Sequence, residues 1–304
     1  ENNGLKYMFT MMNNARLSVG VEGLGLSENS YQQALAYANE RVQGKPLKPS
    51  PSERGQGDGS YSEAKNTYPN GEEASIAHHP DVKRMLLTIK AHTEASRAII
   101  YYVARSMDFA RHHEDEKTRQ IHQDIVDLLT PVAKAHATEL GFENSSMAMQ
   151  VFGGVGYIEE TGIAQNLRDS RIAMIYEGTN GIQAMDLVFR KLNLYDGRLV
   201  ESFLSSIHGD HLNLECMAYL INTTATMQSL VKENSEKAAM LAVKYLRMFG
   251  IASGGVLLNR QLEIAAKADD ISSDFIIEKK KVIEFYNKFI LPEIVYIADI
   301  INTK

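Results

Sequence analysis

The sequence predicts an all-α protein, an antiparallel helical bundle followed by a second, smaller helical bundle. Three observations support this. Apolar residues recur at helical spacing over most of the 304 residues. Strand-like alternation is nearly absent. Where the periodicity breaks, the breaks carry helix punctuation: proline suited to a first turn, glycine suited to an end. Short connections between such helices favour antiparallel neighbours.

The elements follow in order. Residues 5–43 read as one long helix or two joined ones, with Met8, Met11, Met12, Ala15, Val19, Ala34, Leu35, Ala38 and Val42 near helical spacing. Gly20, Gly23 and Gly25 weaken that helix by roughly 1 kcal/mol each, a cost that tight helix–helix contact or a close ligand would explain. Residues 45–75, rich in proline and glycine among polar residues, read as an exposed loop. Helix resumes at Ile76–His79, with Pro80 in a first turn. From Val82 to Arg111 a stripe of Met85, Ile89, Ile99, Val103 and Met107, with Leu86 at its edge, predicts a buried face. His92 and Ser96 interrupt it as hydrogen-bonded core or rim residues. His112, His113, Glu114 and Asp115 are adjacent rather than a turn apart, so they read as a solvated connection and not a metal site.

Glu116–Leu129 is a further helix. Thr130-Pro131 reads as the N-cap and first position of the next, Pro131–Leu140, which Gly141 ends. Asn144–Gln150 begins another that runs into a Gly-Gly turn. Beyond Leu192, Leu212–Val231, Glu236–Phe249, Val256–Ala268 and Phe275–Asn302 read as four helices. The histidines of His208–His211 fit helix capping around Asp210. The expected division is residues 1–192 and 193–304.

Composition narrows the function classes. Net charge is -6 and Lys and Arg are scattered, which argues against nucleic acid and anionic membranes. No apolar run approaches the ~18 residues of a membrane span. The single cysteine, Cys216, stands in an apolar setting and reads as a buried small hydrophobe. It allows no intrachain disulfide, which suits a reducing, cytoplasmic compartment.

The chemistry concentrates in Gln150–Gln183. A dinucleotide fingerprint fails there, because Gly154-Val155-Gly156-Tyr157-Ile158 ends in Glu159 and follows a helix, not a strand. A phosphate loop, a zinc helix and a serine-nucleophile elbow are absent. What stands out is Glu177, between the apolar run Ile172–Tyr176 and Gly178-Thr179-Asn180-Gly181. Thr179 or Asn180 suits the cap of a helix continuing to Leu192. Burial would raise the pKa of this acid and the helix dipole would lower it. A tunable carboxylate suits proton abstraction next to a carbonyl, and glycine at 178 would let a substrate approach the backbone. The competing reading is an acid that only stabilises a helix start.

Q-x-x-G-G-x-G-Y at Gln150–Tyr157, R-D-x-x-I at Arg168–Ile172 and I-Y-E-G-T at Ile175–Thr179 appear in order. On these motifs residues 5–192 resemble the C-terminal half of the acyl-CoA dehydrogenases, and 193–304 resemble the extra helical domain of longer bacterial members. The resemblance implies FAD as cofactor, an acyl-CoA substrate and a trans-2-enoyl-CoA product, with Glu177 removing the α-proton. It implies that Gly178 borders the acyl chain and that Arg16 stands beside the active site. Some members place the base near that arginine instead; here Asn13-Asn14-Ala15 offers no acid. Arg41 matches an arginine that meets the FAD pyrophosphate across a subunit interface, and Gln43, Gln150, Gly154 and Thr179 match further FAD contacts. The usual aromatic after Gln43 is missing, and Gly181 stands where the family often has Gln.

The family's N-terminal helical domain and β-domain have no counterpart in these residues. The chain therefore reads as the C-terminal portion of a protein about twice as long, expected to bind FAD weakly and turn over little by itself. The resemblance further implies an electron-transfer flavoprotein or similar acceptor and a homodimer or homotetramer. The alternatives are a non-catalytic helical oligomerisation or partner-binding module, and an oxygen-using acyl-CoA oxidase.

Overall fold

The computed structural model describes residues 4–45, 74–207 and 214–303. The 45–75 stretch, apart from its ends, and His208–His211 lie outside the described residues. Three long helices form the frame: α1 (Gly4–Glu40), α2 (Pro80–His112) and α3 (Glu116–Phe152). They alternate in direction, so α1 and α3 run parallel: Gly20 meets Ala133, Gly23 meets Ala137, and Tyr37 stacks on Phe152. Among the described residues there is no strand, only an isolated bridge between Val42 and Ser75. The all-α bundle expected from the periodicity is the fold observed.

The expected break at Thr130-Pro131 does not occur. Residues 116–152 form a single helix with Pro131 inside it. An interior proline costs about 3 kcal/mol. Leu128, Leu129 and Val132 are fully buried around it, and each such side chain contributes about 1.5–3 kcal/mol, so packing outweighs the lost backbone bond. The Thr130 hydroxyl does not cap; it donates to the Val126 carbonyl at 2.6 Å. Gly141 does not stop the helix either. A Cβ there would stand 2.8 Å from the Gly23 carbonyl oxygen, so the glycine serves the α1–α3 crossing. Asp115, in the solvated connection, caps α3 by accepting from Thr118 N at 2.7 Å.

Next come α4 (Ile163–Ala173), α5 (Asn180–Met185), a π-helical turn Asp186–Arg190, and α6 (Arg198–Ser206), which periodicity did not reveal. The buried Asp124 anchors α6 to α3, accepting from Arg198 at 2.8 Å and Ser202 at 3.0 Å. Then α7 (Leu214–Glu233), α8 (Ser235–Ala266), α9 (Ser273–Phe285) and α10 (Glu293–Asn302) complete the chain. The two helices expected within 236–268 are one. Gly250, Gly254 and Gly255 do not break α8 but let His136, Ala95, Tyr286 and Leu291 press against it. Among the described residues one helix, α8, is long and apolar enough to cross a membrane, which the sequence reading did not expect; 78% of its apolar window is buried in the protein, as in a core helix. Helices from both sides of residue 192 contribute to one buried cluster, from Leu129 and Val132 through Leu192 to Tyr245 and Ile297.

His92 lies in the core, where its Nδ1 meets Asn144 Oδ1 at 3.0 Å; the Ser96 hydroxyl is buried without a partner. Cys216 is buried, and burial pushes its thiol up to about 12.

Candidate active site

The turn between α4 and α5 presents Glu177. It closes through Ile175 N and Tyr176 N donating to Ile172 O, and Asn180 N donating to Met174 O at 3.0 Å. Thr179 is the N-cap of α5, its Oγ1 accepting from Ile182 N at 3.2 Å. Glu177 and Gly178 both adopt the left-handed region, at φ 55° and 82°. Glycine adopts this without penalty, but for a glutamate it costs about 1–2 kcal/mol. The turn is therefore held by its surroundings, and a motif alone does not show this strain.

Glu177 is only half-buried, not the buried carboxylate that its sequence neighbours suggested, and Ile172, Ile175 and Tyr176 are exposed. With α4 ending at Ala173, the apolar residues of the turn project outward. Val21 on α1 and Ile182 and Met185 on α5 are exposed too, so the elements that meet at this turn carry an apolar rim.

Behind the turn the chain buries charge. Lys134, on α3, is fully buried, and its Nζ donates to Gly178 O and to Asn180 Oδ1, both at 3.0 Å. Burial, and then the Arg16 charge, lower Lys134 to about 8, while Glu177 and Glu22 pull it upward. The buried Arg16 donates to Asp186 Oδ2 at 3.1 Å, and its Nε is buried without an acceptor. Asp186 also accepts from Arg190. The early helix does bring an acid here: Glu22 accepts from the Tyr176 hydroxyl. Sequence reading missed Lys134, Glu22 and Asp186. A lysine among apolar residues of α3 was the available signal; pairing across α1, α3 and the turn was not legible.

The structure thus gathers Arg16, Glu177, Gly178 and Thr179. It places Arg41, Gln43, Gln150 and Gly154 elsewhere, at the ends of α1 and α3 that the Tyr37–Phe152 stack joins. Thr138 bonds Asn180 beside the turn at 3.2 Å, and the twelve residues of α3 from there to Gln150 rise about 18 Å. Arg41 is exposed, with no ion-pair partner among the described residues. Gln150 and Gly154 are exposed too, and Cβ atoms built at Gly153 and Gly154 meet nothing within 4 Å. Gln43 is tied through its backbone, its carbonyl facing His79 Nε2 at 2.7 Å. Among the described residues no group of three His, Cys, Asp or Glu is placed to hold a metal ion.

A family model described as acyl-CoA dehydrogenase, C-terminal domain, matches residues 2–56 and 62–192. The chain belongs to the acyl-CoA dehydrogenase family. A second model, acetyl-CoA dehydrogenase C-terminal like, matches residues 213–304. The chain is 42% identical to the 3-methylmercaptopropionyl-CoA dehydrogenase of Ruegeria pomeroyi over 68% of its own length and 32% of that protein's. It is 29% identical to a broad-specificity linear acyl-CoA dehydrogenase of Mycobacterium tuberculosis, covering 99% of this chain and 51% of the relative. The chain thus spans about a third to a half of the curated relatives it matches. Its fold resembles Caenorhabditis elegans ACDH-11 in complex with C11-CoA (TM-score 0.70, 18% identity, 96% of this chain and 45% of that one). It also resembles an acyl-CoA dehydrogenase complexed with FAD from Bacillus anthracis (TM-score 0.66, 17% identity, 99% and 54%).

Proposed function

We propose that the protein oxidises an acyl-CoA thioester to the trans-2-enoyl-CoA, with Glu177 as the base that removes the α-proton. One observation carries the reading. Glu177 stands half-buried on a strained turn whose elements carry an apolar rim, and the backbone N–H groups of Glu177, Gly178 and Thr179 have no acceptor among the described residues. An apolar rim suits an acyl chain. Free N–H groups suit a thioester oxygen, where negative charge grows as the α-proton leaves. A side chain at 178 would strain the turn and meet Gln183 Nε2 at 3.0 Å, so glycine keeps the approach open.

FAD fits the residues present. Arg41 offers an exposed guanidinium suited to a phosphate, the face at Gly153 and Gly154 is open beside Gln150, and Thr179 keeps its hydroxyl proton to donate. These residues, with Gln43 through its side chain, would hold the cofactor. When bound, FAD supplies the acceptor for the hydride that leaves the β-carbon. A homodimer or homotetramer, with Arg41 reaching the flavin of a neighbouring subunit, is part of the proposal and rests on the family match. A cytoplasmic location and reoxidation by an electron-transfer flavoprotein complete the proposal.

Glu177→Gln in the full-length flavoprotein tests it. Loss of a positioned base lowers turnover about 10²–10⁴-fold. Flavin absorbance should stay, because the substitution leaves Arg41, Gln150 and Gly154 untouched. Turnover at the wild-type rate with a dye acceptor would remove Glu177 from the mechanism. If neither the wild-type nor the variant protein binds flavin or acyl-CoA, the non-catalytic helical module is the correct reading.

A further inference from the structure

Nothing in the turn's own sequence makes a glutamate adopt φ 55°, so other groups must hold it there. Two buried side chains hold it from behind. Gln183 is fully buried, and its Nε2 donates to Glu177 O at 3.2 Å and to Gly178 O at 3.1 Å. Lys134 donates to the same Gly178 O at 3.0 Å. Asn180 braces Lys134 in turn: its Oδ1 accepts from Lys134 and Thr138, and its Nδ2 donates to Ala135 O at 3.2 Å. A trans peptide carries its C=O and N–H on opposite sides. Drawing the 177 and 178 carbonyls inward therefore turns the N–H groups of Gly178 and Thr179 away from Gln183 and Lys134.

We propose that Lys134 and Gln183 form a clamp of positioning residues that fixes the 177–178 and 178–179 peptides and with them the left-handed backbone of Glu177, on which the aim of the Glu177 N–H at the substrate carbonyl and of its carboxylate at the α-carbon depends. Neither residue touches the substrate. This inference rests on the dehydrogenase reading for its catalytic consequence, but not for its structural one. The charge at Lys134 fits the role. A buried ammonium is expensive, and an apolar residue of the same length would fill the space without that penalty. The ammonium faces Arg16 and Glu22 from α1, and Glu177 from the turn; Asp186 absorbs part of the Arg16 charge. The carbonyls of a tight turn gain more from a cationic donor than from a neutral one.

The test uses Lys134→Met and Gln183→Met in the full-length flavoprotein. Each keeps the stem and removes the donor. Because oxyanion contacts strengthen in the transition state, misaimed N–H groups lower kcat more than they raise KM. A fall in kcat of about 10- to 100-fold is expected, with KM for acyl-CoA within a few-fold and flavin content retained. A variant that merely unfolds would lose flavin and activity together, and then Gln183→Met, which removes no charge, decides. Crystal structures of the variants give a readout free of activity. The clamp predicts that Glu177 leaves the positive-φ region. Unchanged kcat, or a Glu177 turn unchanged in both variants, overturns the proposal. If the wild-type protein oxidises no acyl-CoA, the functional reading fails, and the clamp is judged on the Glu177 backbone alone.

Discussion

Gly23→Ala and Gly25→Ala change the same helix by the same methyl group, and the structure predicts opposite signs. In both, alanine is favoured over glycine in a helix by about 1 kcal/mol. At Gly25 a Cβ meets nothing within 4 Å, so that gain stands and the protein should be stabilised by about 0.5–1 kcal/mol. At Gly23 the Cβ would stand 2.6 Å from Ala137 O and 2.8 Å from Thr138 Cα, both backbone atoms of a buried helix. Ordinary contact begins at 3.4 Å, so α1 must move off α3 by about 0.8 Å, and no rotamer can relieve it. Overpacking of this kind costs about 1–3 kcal/mol. Against the 1 kcal/mol gain, the net loss is up to about 2 kcal/mol. Thermal unfolding reads the difference as a few degrees in opposite directions, at about 2–4 °C per kcal/mol for a chain of 150–250 residues and less for a longer one. The displacement also separates Arg16 and Glu22 from Lys134, so Gly23→Ala should lose activity and Gly25→Ala should keep it. Equal Tm shifts in the two variants would refute the reasoning, because they would show that the α1–α3 contact does not depend on these positions.

Two further predictions come from buried titratable groups. Burial, with the His92 and Arg247 charges, lowers His136 to about 3 from an ordinary 6.5. The unfolded chain therefore takes up a proton below 6.5 that the folded one refuses, and stability drains as pH falls from 6.5 toward 3. In NMR spectra the His136 ring should show no titration near neutral pH; a midpoint near 6.5 would contradict its burial. Lys134 gives the reverse window. Folded at about 8 against an ordinary 10.5, it loses its proton first in the native state, so stability relative to Lys134→Met should rise between pH 8 and 10.5. A urea-midpoint difference that is flat over that range would show that the lysine is not held as described.

The sequence by itself determined the all-α class, because the 3.6-residue period is a local property that each helix repeats. It also marked Glu177: a carboxylate between an apolar run and a glycine is unusual whatever surrounds it, and Thr179 was legible as a cap because capping is a contact between near neighbours. Helix continuity was not legible. Thr130-Pro131 and Gly141 carry local stop signals, and only the burial of Leu128, Leu129 and Val132 and the crossing with Gly23 overrule them. The left-handed glutamate, the clamp of Lys134 and Gln183, and the pairing of Glu22 with Tyr176 were decided by tertiary structure alone. Their partners lie up to 154 residues apart, and nothing local reports which buried donor will meet which carbonyl. The sequence named the acid; the packing of α1 and α3 decided how it is held.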